Sequence, residues 1–490
     1  MSVPHFSVVY HTIMLKFIEN VLCYFESCFS RKAAFHWFVT ITIGFMLRSD
    51  KLGVTSVIRD LALCPDCYDS MLHFFRASSW SLADIRQRWF SAVSKFSPLY
   101  KEGNYYILVG DGVKQSKEGR RMPGVKKLFQ ESENSAKPEY IHGHMFGGLG
   151  ILAGSVRNWA CIPLSIRLHD GLQAAREWKG ASVSAASHVV QMVEDAYHAA
   201  LTFGDSLLLL DRYFLTVPAL ERLKSLNSSG NVRMEIVTKA KKSCTAFEKP
   251  VSHKPRRGRP SKKGAAVHLK ELFTSHKEQF QETQMELYGK RETIRYYCID
   301  LLWGQKLYQE LRFVLVEMNG MQSILASTSL TLDPLSVIRL YSYRFRIECT
   351  FRELKQQIGA FCYHFWSKYM PKLSYYQKKG EPTPLERVKD EKSREKILEA
   401  VRAIEMHMVL SCIAMGILQS LSIRFIGKVS SSQIRYQRTP SKGRVSEAVL
   451  MHYFRKHFFR LLGQKPELRI TQIIHGLQKE PEEQWDFLAS

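Results

Sequence analysis

YYILVGD, at residues 105–111, is a run of aromatic and aliphatic residues that ends in an acid. Such a run predicts a buried strand, and we expect the strand to end at Asp111. A second run, SLLLLD at residues 206–211, is apolar throughout and also ends in an acid, Asp211. Continuous apolar strands are typical of a sheet that is covered on both faces. The two runs therefore predict two acids held at the ends of buried strands.

Outward from these runs, the sequence predicts alternating strands and helices. Strands are expected at residues 141–153, 159–168 and 232–237, and helices at residues 183–201 and 217–226. The order β-β-β-α-β-α-β favours an α/β RNase-H-like catalytic core, which is a mixed sheet with helices on both faces. The first two strands are separated by a predicted basic loop that holds Lys114, Lys117, Arg120, Arg121, Lys126 and Lys127.

The chain as a whole is strongly basic. Its 70 Lys and Arg residues exceed its 46 Asp and Glu residues, which gives a net charge of +24 and a pI near 9.6. The charge is spread over most of the length, whereas proteins of membrane surfaces usually concentrate it in one helix or cluster. Nucleic acid is therefore the favoured partner, and a merely basic soluble protein is the alternative.

The remaining composition indicates a reducing compartment. Most of the ten cysteines lie in apolar runs, as core thiols do, and Cys64 and Cys67 lack a second pair at zinc-site spacing. No signal peptide is predicted. The apolar runs at residues 35–47 and 406–423 are too short or too interrupted for membrane spans and indicate buried helices. We expect a cytoplasmic, nucleoid-associated protein.

Five regions are predicted along the chain. Each is defined by a change in the period of the apolar residues or by a basic, Pro- and Gly-rich segment. They are 1–98, a helical N-terminal DNA-binding or dimerisation region; 99–237, the first part of the RNase-H-like core; 238–333, a β-rich insertion with a basic loop; 334–425, the second part of the core with a Glu-bearing helix; and 426–490, a basic C-terminal tail region.

Three acids are candidates for phosphodiester chemistry. Cleaving and rejoining DNA without a covalent intermediate commonly uses two Mg²⁺ ions about 4 Å apart, held by carboxylates, with Mn²⁺ as a substitute. Asp111 and Asp211 are expected to hold such ions, and Glu348 is expected to close the site from a helix. Either aspartate taken alone is better explained as a turn former or a helix cap, and it is their joint place in the predicted fold that favours catalysis.

A polar stripe surrounds Glu348. It consists of Tyr341, Arg344, Glu348 and Lys355, with the spacing Tyr-x2-Arg-x3-Glu-x6-Lys. On one continuous helix, predicted over residues 335–359, these positions fall at about 0°, 300°, 340° and 320° and share one face. A solvated stripe with a weak ion pair is the alternative. The apolar residues beside the stripe instead favour a helix that docks on the sheet.

In residue type and spacing, this stripe matches the signature of the bacterial insertion-sequence transposases named for their tyrosine, arginine, glutamate and lysine. The chain therefore resembles this cut-and-paste DDE transposase family. The resemblance extends to DRYF at residues 211–214, STSL at 327–330 and FRELK at 351–355, and it covers about residues 105–370.

The resemblance implies a transposase that binds the terminal inverted repeats of an insertion sequence, cleaves them by metal-dependent hydrolysis and joins the 3′-OH ends to target DNA. A DNA hairpin would be an intermediate. The catalytic and metal-binding residues would be Asp111, Asp211 and Glu348, and the contacts to the element end would be Tyr341, Arg344 and Lys355. The implied partners are double-stranded DNA and a second copy of the chain, in a homodimer that pairs two element ends. No interaction with a membrane is expected.

Two further DNA contacts are considered within the predicted insertion. RGRP at residues 257–260 resembles an AT-hook, which inserts arginines into an A·T-rich minor groove, so Arg257 and Arg259 are predicted to bind DNA. A solvated basic loop is the alternative. Family members also stack a displaced base on an aromatic residue of the insertion, for which Trp303 is a candidate without an assigned role.

Two other functions stay open. An RNase-H-like nuclease directed by DNA structure or by RNA would not need end-binding residues beside Glu348, so the stripe speaks against it. A domesticated DNA-binding protein of the same fold would bind DNA without cutting it. The presence of all three acids argues for activity and does not prove it.

Overall fold

A computed structural model gives the architecture of most of the chain. Arg257 and Arg259, and with them the AT-hook-like segment, lie outside the residues it describes. The described residues are 6–51, 53–130, 138–155, 158–178, 187–250, 261–375, 381–426 and 444–478.

Strands and helices alternate along these residues. The described strands are β1 (Lys101–Glu102), β2 (Tyr105–Ser116), β3 (Lys126–Phe129), β4 (Tyr140–Ala153), β5 (Ala160–Leu168), β6 (Ser206–Leu209), β7 (Met234–Ala240), β8 (Thr245–Phe247), β9 (Ala266–His268), β10 (Gln281–Leu287), β11 (Lys290–Trp303), β12 (Gln309–Met318) and β13 (Met321–Ser327). The described helices are α1 (Phe6–Cys23), α2 (Lys32–Leu47), α3 (Thr55–Asp60), α4 (Cys67–Phe74), α5 (Leu82–Phe96), α6 (Gln173–Glu177), α7 (His188–Phe203), α8 (Val217–Ser229), α9 (Leu272–Ser275), α10 (Pro334–Tyr343), α11 (Arg346–Glu353), α12 (Glu391–Arg424), α13 (Glu447–Gly463) and α14 (Arg469–His475).

The chain folds into two compact units that alternate along the sequence. As far as their residues are described, unit 1 comprises Met1–Leu99, Gly112–Ala185 and Cys349–Ser490, and unit 2 comprises Tyr100–Asp111 and Ala186–Glu348. The five regions inferred from the sequence stay a prediction.

Unit 2 is built on a mixed sheet. Its two central pairs are parallel, because residues 106–109 of β2 pair with β6 and β6 pairs with β7. From β7 onward the pairing is antiparallel, through β13 and β12 to β11. The strands of the predicted insertion therefore extend the same sheet as β6 and β7. A separate apolar cluster, which includes Phe273, Phe313 and Ile324, lies among these later elements.

Unit 1 contains an antiparallel group of strands and most of the helices. β4 pairs with β3 and with β5, and the amide of Lys117, just after β2, donates to the carbonyl of His142 on β4. The long helix α12 packs against β5, α2 and α5. Gly416 allows close packing there, because a Cβ at this position would lie 2.4 Å from the Trp89 ring. Ser81 caps the start of α5, because its side chain accepts from the amide of Asp84.

Helix α12 has the length and apolarity of a membrane span. Its most apolar window of 18 residues has a mean hydropathy of 1.6, and all of that window is buried within the protein. A core helix passes the same test of length and composition, so the burial agrees with the predicted buried helix at residues 406–423.

Two sequence predictions about the first strand were wrong. The strand does not end at Asp111, because β2 continues to Ser116. The predicted basic loop also begins and ends inside strands, since Lys114 belongs to β2 and Lys126 begins β3. Hydrogen bonding between strands extends β2 and creates β3, whereas the basic side chains of this segment gave a loop-like pattern.

A group of basic side chains lies in the interior of unit 1, and we call Arg48, Lys117, His144 and His407 the basic core cluster. The ammonium of Lys117 donates to the carbonyls of Phe361 (2.5 Å) and Tyr363 (3.1 Å). One amino group of Arg48 donates to the carbonyl of Gly53 at 2.8 Å. Both Arg48 and Lys117 lower the pKa of the buried His407, after the larger effect of burial itself, so the members of the cluster interact.

Candidate active site

The parallel pairing of β2 and β6 places the two aspartates at equivalent positions. Val109 pairs with Leu209, and Asp111 and Asp211 each follow two residues later. Asp211 comes after the end of β6, where its carboxylate accepts from the amide of Arg212 and its carbonyl accepts from the hydroxyl of Thr238. Since neighbouring parallel strands run in the same direction, both side chains lie at the same edge of the unit 2 sheet.

The residue before Asp111 must be small. A Cβ on Gly110 would lie 2.7 Å from the sulfur of Met192 on α7 and 2.8 Å from Leu210. The apolar helix α7 therefore packs closely over β2 immediately before the acid. This packing fixes the backbone that carries Asp111.

The helix that carries Glu348 is not continuous, contrary to prediction. α10 ends at Tyr343 and α11 begins at Arg346. At the break, the amides of Arg344 and Glu348 donate to carbonyls only three residues earlier, which tightens the turn. A π-helical turn at Leu354–Ile358 follows α11. The single regular face predicted for the stripe is therefore wrong, because both irregularities change the angle between successive residues.

Arg344 joins two of the candidate catalytic acids. Its Nη1 lies 3.1 Å from Oδ2 of Asp111, and its Nη2 donates to Oε1 of Glu348. The Arg344 side chain is 13% exposed, Asp111 is 20% exposed and Glu348 is 52% exposed. Burial alone would lower the pKa of the guanidinium, but Asp111, Glu348 and Asp211 together raise it above its ordinary value. The site thus holds a permanently charged cation among carboxylates.

Two further side chains interact with the same acids. Burial raises the pKa of the Tyr341 hydroxyl, and the charges of Asp211 and Asp111 raise it further. Lys239 lies near the end of β7, where burial lowers the pKa of its ammonium and the negative charge of Asp211 opposes this effect. Lys239 was not among the predicted site residues. It follows a predicted strand, and only the pairing of β7 with β6 shows that it faces Asp211.

The donor set suits a hard divalent cation, because carboxylate oxygens are the ligands that Mg²⁺ prefers. The described arrangement would fit one only after Arg344 had released Asp111 and Glu348. Among the described residues, no three His, Cys, Asp or Glu side chains come together in a group that could hold an ion. Arg344 instead supplies the positive charge between Asp111 and Glu348.

An exposed aromatic pair lies beside this site. Tyr288 and Gly289 form the two-residue turn between β10 and β11, both with positive φ (54° and 78°). Positive φ at both central residues is typical of a two-residue hairpin turn, although it is unfavourable for a bulky residue such as Tyr288. The Tyr288 ring is 57% exposed and lies 6.0 Å from the ring of Phe345, in the break between α10 and α11. Arg344 also lowers the pKa of Tyr288, after the larger raising effect of burial.

Trp303, the aromatic residue considered from the sequence, lies in a different setting. Its indole nitrogen donates to the sulfur of Cys244 at 3.1 Å, and its ring packs against the apolar cluster of unit 2. Tyr288 and Phe345 were missed by the sequence reasoning. A Tyr-Gly turn is a weak hairpin signal, and Phe345 was read as part of a continuous helix.

The described structure brings together most of the predicted site residues. Asp111, Asp211, Tyr341, Arg344 and Glu348 all belong to unit 2 and interact there. Lys355 belongs to unit 1, in the π-helical turn, where its ammonium lies 5.5 Å from the ring centre of Phe361. Neither Cys64 nor Cys67 forms a disulfide.

Similarity to known proteins agrees with this geometry. The family model of the DDE superfamily endonucleases matches residues 24–296, which is more than half of the chain. The match includes Asp111 and Asp211 and ends before Glu348. No curated protein and no solved structure matches the chain significantly. The mixed sheet agrees with the RNase-H-like core that the family implies, and the activity of the family is of the nuclease and transposase type. With two aspartates at one sheet edge and a family match across both of them, the chain belongs to the DDE superfamily endonucleases.

Proposed function

We propose that this chain is a cut-and-paste DNA transposase that binds the terminal inverted repeats of an insertion sequence, cleaves the DNA there and joins the 3′-OH ends to target DNA. The observation that carries the proposal is Arg344, which pairs with Asp111 and Glu348 and also interacts electrostatically with Asp211. A general nuclease needs the carboxylates, but an arginine and a tyrosine beside them suit a site that also holds a defined DNA end.

In this proposal the three acids are the ligands of the divalent ions, Mg²⁺ or Mn²⁺. Arg344 would have to exchange Asp111 and Glu348 for a DNA phosphate before the acids were free. Each terminal nitrogen of Arg344 binds one of these carboxylates, and both nitrogens could bind the oxygens of one phosphate instead. Tyr341 and Lys355 would contact the element end near the cut, and Lys239 would supply positive charge beside Asp211.

Tyr288 and Phe345 would receive a base displaced from the element end. Aromatic rings stack on any base, and both rings are exposed beside Arg344. Arg257 and Arg259 remain proposed contacts to A·T-rich DNA. The proposal also includes a homodimer, because two element ends must be brought together, and a location in the cytoplasm with the nucleoid.

The test is cleavage of the DNA that flanks the chain's own gene. The purified protein is incubated with Mg²⁺ and a fragment that carries the flanking inverted repeats, beside Glu348→Gln and Glu353→Gln, and the cuts are mapped. Glu353 is the matched control, since it also lies on α11 but pairs with Arg352 at 3.0 Å. We expect the parent and Glu353→Gln to cut at the repeat ends. Glu348→Gln should not cut but should bind the ends within a few-fold of the parent, because it keeps the phosphate contacts.

Other outcomes identify other functions. Cuts by Glu348→Gln would remove Glu348 from the catalytic set. Cuts that ignore the repeats and follow DNA structure or an RNA strand would favour an RNase-H-like nuclease. Binding to the repeats without cuts by any variant would favour a domesticated DNA-binding protein.

A further inference from the structure

One face of the β3–β4 hairpin in unit 1 carries aromatic rings where a solvated sheet face is usually polar. Phe129 pairs with Tyr140 and Lys127 pairs with His142, so the four side chains share one face of the hairpin. Phe129 and Tyr140 are each 46% exposed. Their ring centres lie 5.5 Å apart, nearly edge to face. Exposed rings next to each other have a cost in water, so a contiguous apolar patch of this kind indicates a binding surface.

The row continues beyond the hairpin and alternates with cations. The ring of Tyr375 lies 4.2 Å from that of His142, and the guanidinium of Arg120 lies 4.5 Å from the centre of the Tyr375 ring. At the other end, the ammonium of Lys127 lies 4.3 Å from the centre of the Tyr140 ring. We call this row the aromatic ladder. It is defined by Phe129, Tyr140, Lys127, His142, Tyr375 and Arg120.

Charge complementarity identifies the occupant as a polyanion. Within the described residues 112–130 and 138–146 there are six Lys and Arg residues, of which Lys117 is buried, and two acids. Lys126 is paired with Asp170 at 2.6 Å, and its side chain lies on the opposite face of β3 from Lys127. The cations of the ladder itself lie against aromatic rings, where they remain available to a phosphate.

We infer that the aromatic ladder binds single-stranded DNA, with bases stacked on Phe129 and Tyr140 and the backbone held by Lys127 and Arg120. Proteins that bind single strands independently of base sequence commonly use aromatic rings for the bases and nearby cations for the phosphates. A duplex shields its bases from such a face, so unpaired DNA is favoured. The inference rests on the proposed function only for the source of that strand, which would be DNA unpaired near a cut.

The test compares single-stranded and duplex DNA of the same sequence by fluorescence anisotropy, with the full-length chain at several salt concentrations. Phe129→Ala/Tyr140→Ala should weaken single-strand binding at least about tenfold, because each stacked base contributes about 1–3 kcal/mol. Its duplex binding and its cleavage at repeat ends should stay within about twofold of the parent. Phe459→Ala is the control, since Phe459 is a similarly exposed phenylalanine (44%) on α13, outside the ladder.

Two further variants distinguish the contributions of stacking and of charge to single-strand binding, and they also control for misfolding. Phe129→Trp/Tyr140→Phe should keep single-strand affinity because it keeps the rings. Lys127→Gln should reduce the salt dependence of single-strand binding by about 0.7 in log–log slope, as expected for one lost phosphate contact.

Equal single-strand affinity of the parent and the double alanine variant would overturn the inference. An equal loss in the Phe459 control, or a parallel loss on duplex DNA, would also overturn it. If the double variant instead loses self-association while DNA binding is unchanged, the ladder is an interface between copies of the chain. Intact cleavage at repeat ends in any of these cases leaves the proposed function standing, whereas a parent that neither binds nor cuts the repeats fails it independently of the ladder.

Discussion

Arg344 in unit 2 and the basic core cluster in unit 1 are both positive groups removed from solvent, but their surroundings act on them in opposite directions. At Arg344 the carboxylates outweigh burial and raise the pKa of the guanidinium. In the cluster, burial prevails and lowers the pKa of Arg48 to about 10 and that of Lys117 to about 8. The cations of the cluster contact backbone carbonyls and the rings of Phe45 and Tyr363.

The two sites differ in what surrounds the buried positive charge. Arg344 pairs with carboxylates, which compensate its charge, whereas Arg48 and Lys117 contact backbone carbonyls and aromatic rings. A guanidinium between two carboxylates neutralises part of their negative charge. Its removal leaves two negative charges that repel each other. A cation among carbonyls and rings can be replaced by an apolar group without leaving an opposite charge behind. An ion pair next to a sheet edge is also typical of a functional site, because a charged ligand can replace one member of the pair.

Removing Arg344 should change the protein most, because it affects both the stability and the response to Mg²⁺. Arg344→Ala is expected to lower the free energy of unfolding by about 2 kcal/mol, less than for a fully buried pair because Glu348 is half exposed. Saturating Mg²⁺ should then raise the melting temperature of the variant more than that of the parent, since the acids lack their internal cation. Thermal unfolding with and without MgCl₂ measures both effects.

The control for this experiment is Arg352→Ala, because Arg352 is a 59% exposed arginine that pairs with Glu353 nearby in the chain. Its Mg²⁺-dependent shift should equal that of the parent. If Arg344→Ala also shows only the parental shift, Arg344 does not compete with a divalent cation.

Acid should destabilise the basic core cluster through His144. Its Nε2 lies 2.9 Å from the carbonyl of Pro123 and its Nδ1 lies 2.5 Å from the hydroxyl of Tyr363, so the neutral ring, as donor at Nε2 and acceptor at Nδ1, has both partners. Burial lowers the pKa of His144 to about 3. Because the unfolded chain binds the proton more readily, stability from this group is present above about pH 6.5 and is lost as the pH falls towards 3.

Between pH 7 and pH 5 the contribution of His144 to the free energy of unfolding should fall by about 2 kcal/mol. Urea unfolding at both pH values, for the parent and for His144→Gln, measures it. The glutamine variant should start less stable at pH 7 and lose less on acidification. Equal losses in the two proteins would mean that His144 is already protonated in the folded chain or remains neutral in the unfolded one.

Replacing Arg48 should have the smallest effect on stability. Nε and Nη2 of Arg48 lack hydrogen-bond partners among the described residues. Arg48→Met removes a buried charge and keeps an apolar stem, so the free energy of unfolding should change by less than about 1 kcal/mol or increase. Urea unfolding at pH 7 gives the value, and a loss above about 3 kcal/mol would show that Arg48 is compensated as Arg344 is.

Local sequence was sufficient to nominate the two aspartates as candidates, and a pair between Arg344 and Glu348 is the i, i+4 contact of the alternative interpretation, but the contact of Arg344 with Asp111 was not predicted. Asp111 and Asp211 each follow an apolar run, and that pattern depends only on local sequence. The bond from Arg344 to Asp111 joins residues 233 positions apart, so no periodicity predicts it. The resemblance implied that Arg344 contacts DNA, whereas in the described structure its side chain binds Asp111 and Glu348.

Predictions failed where hydrogen bonding across the fold overrides local pattern. β2 runs past Asp111 to Ser116, beside β4, although its second half is basic. The helix through Glu348 breaks at Arg344, whose amide donates to the carbonyl of Tyr341 and whose side chain binds Asp111 in a distant part of the chain. The strained Tyr288 likewise depends on the register between β10 and β11. The site residues that the sequence missed all lie at such positions.

The apolar helix α12 has a consequence for biosynthesis. A nascent segment with the hydropathy of a membrane span is exposed to membrane-insertion machinery and to aggregation as soon as it leaves the ribosome. α2, α5 and β5, against which α12 packs, all precede it in the chain and are synthesised first. Because of this order, the aggregation-prone helix α12 is synthesised after the elements that can bury it.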